Sequence, residues 1–274
     1  MSVAKSNGAR KPGLHGRRPA HHFPELSLER FYAGQARPPL PDAADVSFGI
    51  TEWGMLANDR LQNCGSAAIA HARMTKACVS PGVAGAEPTY EPGFVPPSVE
   101  EVEHLYYEYG IAHGEKPPHP NEGVVNALWL AWLYERGTIE GYAEIDVAHP
   151  GTSDRVRRAM IDFRGVFVGL NLTDNADQLF LAGEPWSTAD GQKANPRNGH
   201  DVLMVSFAES SDTFVTWGAL QKSTFDWDSE CVEEAWVILT KEDAKRAGYD
   251  FEAAKAAMDE VSATRPKTHA EVGS

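Results

Sequence analysis

Between Asn121 and Gly137, the residues Val124, Val125, Leu128, Trp129, Ala131, Trp132 and Leu133 are apolar nearly all the way round a helix. A helix with no polar face needs neighbours on every side, so this segment belongs in the interior of a protein large enough to wrap it. The chain has the material. Of its 274 residues 42% are hydrophobic, with seven Trp and eleven Phe, enough for one large domain or two lobes. No window approaches the roughly 18 consecutive apolar residues of a transmembrane helix, so no membrane span is expected.

Around that core helix the pattern divides in two. Residues 1–45 lack sustained periodicity apart from a short helix near Leu26 to Tyr32, and Pro38-Pro39-Leu40-Pro41 enforces an extended connector. This basic, Pro-rich stretch reads as an N-terminal arm lying outside the body. Residues 46–137 read as a helical lobe. A helix starts at Cys64 and closes at Cys78, and a Pro/Gly-rich loop covers Pro81 to Pro97. Ser98-Val99-Glu100-Glu101 then spells a capping box before a helix ending at Gly110, and the apolar helix opens at Asn121-Glu122-Gly123. Residues 138–240 read as a mainly antiparallel β lobe, with strands over 138–147, 165–172, 200–207, 212–217 and 232–239 and a helix capped by Ser153. Residues 241–274 supply two closing helices and a tail. The fold class is α+β with a cleft between the lobes.

The chemistry centres on Cys64. It stands where the polar loop Asn58-Asp59-Arg60-Leu61-Gln62-Asn63 turns into an alanine-rich helix. The first turn of a helix presents unpaired N–H groups and the positive end of the macrodipole, and both favour thiolate over thiol. A thiol nucleophile needs a base, and a histidine at the start of a buried strand in the other lobe can face it across a cleft. Asn198-Gly199-His200 occupies that place, and the next strand ends in Thr216-Trp217-Gly218. Cys78 and Cys231 read as core residues.

This order of landmarks resembles the papain-like cysteine peptidases. Within them the chain is most similar to a group of bacterial and bacteriophage proteins, through Trp53-Gly54-Met55-Leu56-Ala57-Asn58-Asp59 before Cys64, Gly199-His200-Asp201-Val202, Thr216-Trp217-Gly218 and Glu233-Glu234-Ala235-Trp236, across residues 46 to 240. The resemblance implies a papain-like fold with Cys64 as nucleophile, His200 as general base and then acid, and Asn58, six residues before Cys64, as the side-chain donor of the oxyanion site. It places Gly65, Trp217 and Gly218 along the cleft. Two departures stand out. The Asn that orients the histidine in the family falls on Val215, which cannot accept an imidazole N–H, with Thr216 beside it. The Trp that usually follows the nucleophile is Gly65. Thr216 and Asn198 are the candidates to orient His200. Asp201 is a third, although the strand pleat turns it to the opposite face.

The implied activity is a hydrolase, a peptidase or amidase acting on a peptide or amide substrate through an acyl-enzyme. The alternative implied by Val215 is a catalytically inactive papain-fold binding or structural protein, such as a phage virion component held by its arm. A proenzyme whose arm occupies the cleft is a further reading. Three scattered cysteines argue for a reducing compartment, the cytoplasm of a bacterium or of a phage-infected host, with virion association under the structural reading. No metal is expected, since the sequence has no HxxxH or CxxC pair and His113 and His119 merely flank Pro117-Pro118; no phosphate loop appears, and no cofactor is expected. The net charge of −14 hides five basic residues and no acidic one in residues 1–22, which leaves −19 on the rest. Such a body disfavours nucleic acid, whereas the arm suits an acidic protein surface.

Overall fold

The computed structural model describes residues 10–32, 38–80, 88–116, 121–147, 152–188, 191–268 and 271, which leaves His119 and Pro117-Pro118 outside the described residues. The alanine-rich run after Asn63 forms α1 (Cys64–Ala77), and small side chains let it sink so far that every residue except Arg73 is buried. Cys78, expected to close that helix, instead opens β2 (Cys78–Ser80), which pairs antiparallel with β3 (Thr89–Tyr90) inside the expected loop; residues 81–87 lie outside the description. Ser98 accepts the Glu101 N–H and opens α2 (Val99–Ala112), which runs two residues past Gly110.

The apolar helix is α3 (Asn126–Glu135), buried at every residue from Asn126 to Leu133. Its expected start at Asn121-Glu122-Gly123 is corrected. Gly123 takes φ +80°, and Val124 is drawn into a parallel β-bridge with Arg17, which gives its backbone groups partners outside the helix. Gly137, at φ +71°, follows the helix end as expected.

The second half builds one sheet from β4 (Gly141–Ile145), β5 (Val166–Thr173), β6 (Ala194–Ala208), β7 (Ser211–Thr216), β8 (Ala219–Thr224) and β9 (Val232–Leu239). The strand order is β4-β9-β5-β6-β7-β8, every pair antiparallel, and the short β1 (Ala44–Asp45) adds to β6 at Ser206 and Phe207. Helices α4 (Thr152–Phe163), α5 (Ala176–Ala182), α6 (Phe225–Cys231), α7 (Lys241–Ala247) and α8 (Phe251–Thr264) complete an α+β fold. The side chain of Ser153, expected as a cap, lies outside the described residues. β8 escapes the sequence pattern because its polarity is inverted: Gln221 and Ser223 are buried while Leu220 is 39% exposed. α5 and α6 are seven residues each, too short to show a helical period.

The arm is not an appendage. Residues 24–26 and 28–31 form two 3-10 turns whose Leu26 and Leu28 join the same continuous core as α3 and the sheet, and the Phe31 carbonyl accepts the Asp250 N–H at 2.7 Å. The carboxylates that meet the arm's basic residues belong to this chain: Glu233 and Glu234 at Arg17, and Glu122 at Arg18. No helix among the described residues is long and apolar enough to cross a membrane.

Leu128 lies at the centre of this core with no exposure, so Leu128→Ala should cost about 2–5 kcal/mol, whereas Leu181→Ala on the exposed side of α5 should stay within about 0.5 kcal/mol. Urea denaturation of both variants measures the difference.

Candidate active site

Three neighbouring strands set one row of the site. Gly169 on β5 pairs with Glu234 on β9 and with Asp201 on β6, so the two carboxylates flank a residue without a side chain. A Cβ on Gly169 would lie 2.6 Å from Glu234 Cγ and 2.7 Å from Arg17 Cδ, so the missing side chain makes the space that the arm's Arg17 fills. Asn126 caps the row from the start of α3, its Nδ2 donating to Asp201 Oδ1 at 2.7 Å and to Glu234 Oε1 at 3.1 Å.

Above this row stands the first turn of α1. The Cys64 thiol is 3.5 Å from Asp201 Oδ2 and is fully buried. Burial and then the Asp201 carboxylate push its pKa well above the ordinary value, against N–H groups of Asp201 and Gly16 that turn toward the sulfur. Burial likewise pushes Asp201 up to about 7, opposed by Arg17 and by the Asn126 hydrogen bond. The Asn63 side chain does not cap α1; it donates to the Leu56 carbonyl at 2.8 Å. Gly65 is required by packing, because a Cβ there would meet Val124 Cγ2 at 2.6 Å and Asp201 Oδ2 at 3.1 Å.

His200, one residue earlier on β6, points to the other face. Its Nε2 is 2.7 Å from Thr216 Oγ1, and its Nδ1 is buried without a hydrogen-bond partner. The ring lies 4.8 Å from the Trp217 ring, between centroids, and Trp217 also stacks on His15 of the arm at 5.9 Å. Burial, then the positive charges of His15 and Arg17, hold the His200 pKa well below the usual imidazole value. Three non-glycine residues in left-handed backbone, Leu56, Ala57 and Trp217, bound the site. Gly54 and Gly218 form a β-bridge, which ties the Trp-Gly-Met and Thr-Trp-Gly segments together.

The arm runs through the space between these parts. Leu14 donates to the Asn58 carbonyl at 2.6 Å and Asn58 Nδ2 donates back to the Leu14 carbonyl at 3.0 Å, its second N–H going to Leu61 O at 3.1 Å. Gly16 and Arg17 both donate to Gly199 O, at 3.1 and 3.0 Å. On the other side Val124 donates to Gly16 O at 2.8 Å and accepts from Arg18 at 2.7 Å.

Of the expected residues, then, Thr216 holds His200, while Asn198 does not reach it and donates instead to Asp174 Oδ1 at 3.2 Å. Asp201 turns away from His200 as the pleat requires, and that direction is toward Cys64. No hydrogen bond joins Cys64 to His200 among the described residues. The sequence pattern does not mark Arg17, Asn126 and Glu234 as site residues, although Asn126 is the one polar residue among those from Val124 to Leu133 and Glu234 lies in the Glu233-Glu234-Ala235-Trp236 motif. Among the described residues no three His, Cys, Asp or Glu side chains group as a metal site. A scan against protein-family models and a search of curated proteins both return no match for this chain.

Asp201 gives the site a signature in stability. Its folded pKa of about 7 exceeds the unfolded value of about 3.9, so its contribution is full below pH 4 and is lost as pH rises toward 7. Asp201→Asn should remove a decline of at most about 1.4 kcal/mol per pH unit across that window. Urea midpoints between pH 4 and 8 for both proteins test this, and parallel curves would assign the charge elsewhere.

Proposed function

We propose that the chain is a papain-like cysteine hydrolase that cleaves an amide bond in an extended peptide. One observation carries the reading: His200 is held at Nε2 by Thr216, with Nδ1 buried and unpartnered, one residue from the Asp201 carboxyl that contacts the Cys64 thiol. An imidazole fixed at one nitrogen and free at the other is what a general base for a thiol requires. Thr216 thus takes the orienting role for which Val215 is unsuited.

The thiol and His200 lie on opposite faces of β6 in this structure, so the proposed reaction begins with a shift of α1 against β6 that carries the Cys64 thiol from Asp201 to His200 Nδ1, to which it gives its proton. The thiolate adds to the substrate carbonyl carbon, with the Cys64 N–H and the ligand-facing N–H of Asn58 as donors to the oxyanion. Collapse breaks the C–N bond, and His200 delivers the proton to the leaving amine. Water then attacks the thioester, passing one proton to His200, and the acid departs as Cys64 is regenerated. The arm is itself an extended peptide whose Leu14 carbonyl sits on Asn58, which supports a peptide as substrate.

A second reading, a papain-fold protein retained for binding or assembly, is favoured by the raised thiol pKa and by the thiol's bond to Asp201. A peptidyl acyloxymethyl ketone separates the two. The hydrolase reading expects a mass adduct on Cys64 in a chain with a loosened arm (Gly16→Ala), slowed about 10²- to 10⁴-fold by His200→Ala and partly by Thr216→Val. A folded Gly16→Ala chain that forms no adduct at any pH up to 9 leaves the binding role.

A further inference from the structure

Residues 13–18 are gripped through their backbone by Asn58, Gly199 and Val124, and such contacts accept any sequence. Three positions are selective. A Cβ on Gly13 would lie 2.5 Å from the Asn58 carbonyl oxygen and 2.6 Å from Trp217 Cδ1, and one on Gly16 would lie 2.0 Å from the Gln62 oxygen. Both obstacles include backbone or packed indole, so neither yields cheaply. The body answers with its own glycines, since a Cβ on Gly123 would be 1.8 Å from Gly16 O and one on Gly199 2.3 Å from Arg17 O.

The third selective position is Arg17, whose side chain is 2% exposed. Nε donates to Leu170 O at 3.2 Å, Nη1 to Glu234 Oε1 at 3.0 Å and Arg18 O at 3.3 Å, and Nη2 to Asn171 Oδ1 at 2.5 Å and to the Glu233 carboxylate. Five acceptors match the five N–H groups of a guanidinium, and a lysine ammonium, with three donors, leaves part of this buried set unpaired.

We infer that the cleft is a receptor for extended peptides of the form Gly-x-x-Gly-Arg, and that residues 13–17 of the arm are its resident occupant. This names the substrate class for the hydrolase reading and rests on it only for what happens after binding. A peptide of this form from another protein must displace the arm, so the arm competes with whatever the site acts on.

The test uses the full-length chain carrying Cys64→Ala, which separates binding from chemistry, and Gly16→Ala, which unseats the arm without altering the body. A fluorescent nonapeptide with the sequence of residues 10–18 should bind, by anisotropy. The same peptide with Ala at either glycine, or Lys in place of Arg17, should bind about 10- to 100-fold more weakly. A scrambled peptide of identical charge controls for attraction to the acidic body, and the chain with an intact arm should exclude the labelled peptide at concentrations that saturate the variant. Equal binding of all peptides, or binding of none, overturns the inference. Should Gly16→Ala fail to fold, amide exchange decides: Arg17→Lys in an otherwise unchanged chain should speed exchange of the Gly16 and Arg18 amides about tenfold or more relative to α3, and unchanged exchange overturns it. Selective binding by the Cys64→Ala, Gly16→Ala chain, with no cleavage of the peptide by the Gly16→Ala chain that retains Cys64, would sink the hydrolase reading and leave this one standing. Cleavage of a general amide reporter without peptide selectivity would do the reverse.

Discussion

The buried ion pair between Arg17 and Glu234 organises the rest of the site. Glu234 has no exposure, and its charged form depends on the guanidinium and on the Asn126 and Trp236 hydrogen bonds. Removing either partner leaves a charge in a medium that does not solvate it, at a cost of about 3–5 kcal/mol. The arm is thereby fixed in one register on the body. Gly16 falls against Gln62 and Val124, Leu14 falls on Asn58, and His15 falls on Trp217, each within a few residues of the anchor. The side chain of Arg17 also opposes the rise in the Asp201 pKa, so one residue of the arm sets both the position of the arm and the electrostatics beneath the thiol.

Much of this fold follows from local rules in the sequence. The apolar α3, the Ser98 cap, the strands over 166–173 and 232–239 and the α1 start at Cys64 all rest on short-range periodicity or capping, and the structure contains them. What local rules could not reach are the long-range pairings. Val124 and Val125 continue the apolar pattern of α3, yet the partner that takes Val124 out of the helix lies more than a hundred residues earlier, in the arm. β8 hides for a related reason: its buried Gln221 is satisfied by Arg10, Glu184 and Lys222, polar contacts that reverse the usual meaning of a polar residue in a strand. The arm itself reads as a polar, glycine-containing tail because its glycines and arginine have a function only against a surface that the sequence does not display.

The site divides in the same way. Pleat geometry places His200 and Asp201 on opposite faces, and the structure has them so. Which face meets the thiol depends on how α1 lies across β6, and no local pattern encodes that. A strand-borne histidine that follows a glycine has a concrete reason here: Gly199 admits the arm backbone, and Thr216 then fixes the imidazole ring from the next strand.

The state of the thiol follows from two opposed effects of different range. The unsatisfied amides at the start of α1 act within one turn and favour thiolate. Exclusion of water from the sulfur comes from the packing of several distant segments around it, and it prevails together with the Asp201 charge. The arm contributes to the opposing effect, since its Gly16 N–H faces the sulfur and lowers the pKa that burial raises. Linkage makes the outcome reciprocal: if the seated arm favours thiolate over thiol, deprotonation of Cys64 must strengthen the seating by the same factor. Under the proposed peptide-binding role, occupancy of the cleft by the arm and activation of the thiol are then one coupled equilibrium, with Arg17 and Cys64 as its two ends.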